Sequence, residues 1–183
     1  MNINSQSGYK KGVFMKILGL MLLLSSLVFG HTSMLEHGGF MSGFLHPISG
    51  LDHILAMVGV GMVAFYATQK GFLTLIAFIG AMVLAAIIGY NGVSLIGMEE
   101  GILISIAVVF GLIGFASKLP IGTIVAIVAF FGMFHGFAHG AEFTTGNFIA
   151  YMVGFSTSTL ILHLSGMAVA YLYSKKVQVA FNN

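Results

Sequence analysis

Five apolar stretches, at about 51 to 68, 71 to 90, 101 to 117, 121 to 140 and 148 to 173, follow one another with only short polar breaks between them. A bilayer core of roughly 30 Å needs about 20 mostly apolar residues per helical crossing. Inside hydrocarbon each backbone N–H and C=O must be satisfied within its own segment, so stretches of this kind cross as helices. The breaks contain Gln69, Lys70 and Gly71; Asn91, Gly92 and Val93; and Ser117, Lys118, Leu119 and Pro120. The expected fold is therefore an all-α membrane protein, a bundle of about five transmembrane helices over 51–176 with a short tail at 177–183. Only 7% of the 183 residues are charged, against about 25% in a soluble domain, and no linker is long enough to divide the chain.

Ahead of the bundle, residues 17 to 29 form a shorter apolar run preceded by Lys10, Lys11 and Lys16 and followed by Gly30. That layout is the layout of a secretory signal peptide, with Val28 and Gly30 as the small residues a signal peptidase reads. Residues 1–30 are expected to be such a signal, with Met15 as an alternative start, or else an uncleaved sixth helix. Either version leaves His31 outside the cytoplasm, and 31–50 then form an external His-containing leader. Alternate loops counted from there place Lys70, Lys118, Lys175 and Lys176 on the cytoplasmic side, as the positive-inside rule requires. Glu36, Glu99, Glu100 and Glu142 fall outside. The expected location is a bacterial-type cytoplasmic membrane, with the mature N-terminus outside and the C-terminus cytoplasmic.

All seven basic residues are Lys, spread along the chain with no basic run, which offers no footing for nucleic acid. The chain has no Cys, so any bound metal must be held by nitrogen, oxygen or Met thioether. Its seven His and five acidic residues are costly groups in so apolar a chain, and at membrane depth such groups mark a pathway or a site. They fall into clusters. His46, Asp52 and His53 lie in HPISGLDH at the start of the first mature helix, where Pro47 is tolerated in a first helical turn. His135, His139 and Glu142 lie in FHGFAHGAE at the end of the fourth. Both ends belong to the external side.

His135 and His139 stand four residues apart, so on a helix they project from one face and suit a shared cation. Gly132, Gly136 and Gly140 form a neighbouring stripe that lets a second helix come close, so that ligands from two helices could converge. Asp52 is either a direct ligand or the partner that holds an imidazole tautomer. A lone His at a membrane boundary is more often a polar cap on a helix end. Two motifs with four His and two carboxylates on one side favour a site. Such a set without Cys suits borderline divalent ions such as Ni2+, Co2+ or Zn2+. His31 and His37, with Glu36, offer a loading site at the mouth or a merely solvated leader. Met34, Met41 and Met57 read as packing material. Residues 38 to 44 read as a flexible interfacial segment. His163 falls in the middle of the last span, on one face with Ser156 and Thr159. It is either a second station on a path or a neutral His bonded to Thr159 or to another helix. An intramembrane metalloenzyme, with three ligands and an open position, is the weaker reading, since no HExxH pairing and no Ser and His dyad stand out, and no enzyme is expected.

HPISGLDHILAMVGVG, 46 to 61, and FHGFAHGAE, 134 to 142, resemble the two signature motifs of the HupE/UreJ family of small membrane proteins. The signal-like start, the His-containing leader, the five spans and the Lys-tipped C-terminus extend the resemblance over nearly the whole chain. The resemblance implies a nickel permease, with cobalt as an alternative ion, or a nickel-binding accessory protein that serves hydrogenase or urease maturation without transport of its own. It carries His46, Asp52 and His53 over from the first motif and His135, His139 and Glu142 from the second. Its implied partners are a divalent metal ion, the lipid bilayer and hydrogenase or urease maturation proteins.

Overall fold

The computed structural model describes residues 38–67, 70–93 and 95–182, and among these the ordered elements are helices, with one isolated backbone bridge between Gly38 and Gly146. They are α1 (Phe40–Ser49), α2 (Leu51–Tyr66), α3 (Phe72–Tyr90), α4 (Met98–Ile113), α5 (Ile121–Glu142) and α6 (Phe148–Asn182). The segment 17–29, His31, Glu36 and His37 lie outside the described residues.

Among the described residues three helices, Phe72–Tyr90, Ile121–Glu142 and Phe148–Val179, are long and apolar enough to cross a membrane unaided. α1 and α2 pass the same test only as a pair, bent by 86° at Gly50, which raises the count to four. α4 has 16 residues, about 24 Å, and tight turns through Phe115 carry the chain on to Lys118. The expected first stretch, 51 to 68, corresponds to α2, and a further helix, α1, precedes it within the expected leader. Phe40 to Ser49 form α1 where 38 to 44 read as a flexible segment, and Pro47 lies near the end of α1, not in the first turn of the helix that carries His53. Pro47 lies inside this ten-residue helix, where it cannot donate to the Gly43 carbonyl, and the chain breaks just beyond it at Ser49 and Gly50.

Close backbone crossings set the directions of the helices. A side chain at Gly132, Gly136 or Gly140 would run into the carbonyls of Phe78, Met82 and Ala86, so α3 and α5 lie in parallel contact along most of their length. Gly43 and Gly154 let α1 settle on α6, and Gly61 and Gly166 do the same for α2 on α6. Such small-residue contacts are what holds helices together where lipid supplies no hydrophobic drive. α2, α4 and α6 run one way and α3 and α5 the other, the alternation that successive crossings produce. Lys70 and Lys118 therefore share one end of the bundle with the exit of α6, where Lys175 and Lys176 are exposed. His53, His139 and Glu142 mark the opposite end, where Asn147 N–H donates to Gly38 O at 2.7 Å and ties the entry of α1 to the loop before α6. Met57, Val60, Phe78, Met82, Val109, Val128 and Phe155 fill the core between the two ends.

The stripe of Gly132, Gly136 and Gly140 does bring a second helix close, but that helix is α3, which carries none of the expected ligands. On a helix each residue is turned about 100° from the next, so the histidines beside these glycines face different neighbours.

Candidate metal centre

The bend at Gly50 turns a sequence motif into two walls of one site. α1 brings His46 in its last turn, α2 brings His53 in its first, and α5 brings His139 in its last. The ring of His139 lies 4.5 Å from that of His46 and 4.8 Å from that of His53, centroid to centroid, and His46 and His53 are 5.5 Å apart. One nitrogen from each ring lies within 4.8 Å of the others. His53 Nε2 and His139 Nε2 are only 2.8 Å apart. Two imidazole nitrogens on one ion at about 2.1 Å stand about 3 Å apart at a right angle and about 4.2 Å apart when opposite, so the pair already fits and His46 needs a small inward shift.

The far side of each paired ring faces a carboxylate. Asp52 Oδ1 lies 2.9 Å from His53 Nδ1, and Glu142 Oε2 lies 3.5 Å from His139 Nδ1. A carboxylate behind Nδ1 favours a proton there and leaves Nε2 with its lone pair, the way a metal-binding imidazole is oriented. Asp52 takes this supporting position against its sequence neighbour, and Gly50 makes space for it, since a side chain there would strike both Asp52 Oδ1 and His53 Nδ1. Two lone-pair nitrogens at 2.8 Å repel each other unless a proton or a metal ion sits between them. Asp52 is mostly covered while the Glu142 side chain is 46% exposed, so the two carboxylates differ in strength.

His135 belongs to the same face of α5 one turn deeper, its ring 5.7 Å from that of His53. Its Nδ1 is 3.0 Å from Phe131 O, while its Nε2 is buried without a hydrogen-bond partner among the described residues. The structure thus brings His46, Asp52, His53, His135, His139 and Glu142 to one end of the bundle. His163 is fully buried apart from them. Neither of its nitrogens, nor the hydroxyl of Thr159 or Ser158, has a hydrogen-bond partner among the described residues. Of the two readings of His163, the neutral ring bonded to Thr159 or to another helix is thus not met among the described residues, and Ser156 is only half-buried. Each such orphaned group costs about 1–3 kcal/mol.

Three aromatic residues at these sites carry no signal in the sequence. Phe155 packs at 4.5 Å from the ring of His139 and 5.8 Å from that of His46, Tyr151 lies 6.3 Å from His46, and Phe78 touches both His135 and His163. Among 17 Phe and 6 Tyr in an apolar chain, nothing distinguishes these from filler.

The model of the family described as HupE / UreJ protein matches residues 19–182 of the chain. Protein HupE of Rhizobium leguminosarum bv. viciae is 36% identical over 164 residues, covering 86% of this chain and 84% of that protein. No solved structure matches.

Proposed function

The chain belongs to the HupE/UreJ family, and on that premise we propose that it carries a divalent transition-metal ion, Ni2+ first and Co2+ second, across the cytoplasmic membrane. The observation that supports this best is the 2.8 Å approach of two Nε2 atoms from different helices, each with a carboxylate behind its ring and with a third imidazole beside them. Such a set can hold a shared cation in place of the proton that otherwise bridges the two rings. His46, His53 and His139 are its ligands in this reading, Asp52 and Glu142 orient two of them, and His135 receives the ion one turn further in. The ion is the cargo. Nitrogen donors without thiolates suit borderline ions over soft ones, and the family's link to hydrogenase and urease systems selects nickel.

The histidine end faces outward and the lysine end inward in this reading, because Lys70, Lys118, Lys175 and Lys176 all sit at one end. A reporter active only outside the cytoplasm should score as external when fused after Gly146, and one fused after Lys176 as cytoplasmic. Transport itself is tested with purified protein in liposomes. Ni2+ flux above that of empty vesicles supports a permease. One-to-one binding with no flux leaves the accessory role, in which the same site holds nickel for hand-over to maturation proteins.

A further inference from the structure

Between the histidine end and the middle of the bundle the polar groups do not form a continuous line. His53 neighbours His135, but the next ring on the way to His163 is that of Phe78, with centroids 5.2 Å from His135 on one side and 5.2 Å from His163 on the other. Phe78 is 1% exposed and belongs to the apolar core. Its backbone is held by the crossing at Gly132, where a side chain would strike Phe78 O, so its ring is presented from a fixed stretch of α3. Beyond it lie His163 and, one turn away on the same face of α6, Thr159, both fully buried and with their side-chain nitrogens and oxygen unpartnered among the described residues. Gly61 meets the backbone of His163, which puts that ring about 12 Å along α2 from His53.

We propose that Phe78 is an apolar gate between the outer three-histidine site and a deeper polar station formed by His163 and Thr159, which takes a divalent cation after the ring swings aside. Polar groups stranded on both sides of one aromatic ring are what a closed path looks like, since a hydrophobic constriction stops ions by excluding water. The unpartnered Nε2 of His135 lies on the outer side of the gate, and both nitrogens of His163 lie on the inner side. The ring moves aside by a change of rotamer about its Cα–Cβ bond, while the Gly132 crossing holds the Phe78 backbone in place. This deepens the transport reading and rests on it.

The chain contains no Cys, so a single introduced thiol reports accessibility without background. The Thr159→Cys protein in right-side-out vesicles is treated from the outside with a water-soluble, membrane-impermeant methanethiosulfonate, alone and combined with Phe78→Ala or Phe78→Leu. Removing the ring should speed labelling by about tenfold or more, with Leu intermediate, because the energy that keeps the passage dry scales with the apolar surface removed. Ni2+ binding at the outer site should be retained in the Phe78 variants, since the ring contacts His135 and His163 and not the three proposed ligands. Equal labelling rates in all three proteins overturn the gate. If Phe78→Ala loses Ni2+ binding through misfolding, Phe78→Leu decides alone, and an unchanged rate in it is equally fatal. Faster labelling together with absent Ni2+ flux in wild-type liposomes keeps the gate as an aqueous barrier and overturns the transport of nickel through it.

Discussion

The same side chain occurs in two environments that differ in nearly everything else. At the histidine end, His53 and His139 face each other across 2.8 Å and each has a carboxylate behind it. In the middle of the bundle, His163 has neither an acidic neighbour nor a hydrogen bond among the described residues, and only an aromatic ring stands between it and His135. Imidazoles grouped around negative charge can take a dication from water. An isolated imidazole in a dry interior lacks compensation for that charge and is suited to brief occupancy, because conduction needs sites that release as well as bind. The difference separates capture from passage.

Substitutions can break that distinction or sharpen it, and their expected effects on Ni2+ affinity descend in a definite order. His139→Ala removes the ring that touches both His46 and His53. Titration calorimetry should show affinity reduced by more than about 100-fold, since loss of a supporting carboxylate alone costs about 10–100-fold. Asp52→Asn should fall within that 10–100-fold range, because the amide keeps the shape but no longer favours a proton on His53 Nδ1. Glu142→Gln should cost less than about tenfold, given its longer 3.5 Å separation from His139 and its exposure to water. His163→Ala should leave affinity within about twofold while lowering flux in liposomes. A loss of equilibrium binding in His163→Ala as large as that in His139→Ala would erase the difference between the two regions.

Much of this was legible in the residue order. The spans at 71 to 90, 121 to 140 and 148 to 173 correspond to α3, α5 and α6, because length and apolarity alone specify a crossing helix. The two histidine motifs could be assigned to one end by counting spans, and the structure brings them into contact. The bend at Gly50 could not be read in the same way. Pro47 is compatible with a first helical turn or a last one, and only the packing of α1 on α6 through Gly43 and Gly154 decides between them. The glycine stripe of α5 announced a close neighbour without saying which, and α3 rather than a ligand-bearing helix took the place. Phe78 and Phe155 were invisible because their importance lies in what they touch, not in what they are.

In the proposed function His46, His53 and His139, drawn from two distant motifs, hold one ion. X-ray absorption at the nickel edge on the one-to-one complex of purified protein tests it directly, because coordinated imidazole rings scatter with a recognisable pattern at metal–nitrogen distances of about 2.1 Å. The wild type should show at least three imidazoles and His46→Ala one fewer, with Asp52→Asn keeping the wild-type number. A nickel shell without imidazole, or one that is the same in wild type, His46→Ala and His139→Ala, would contradict it.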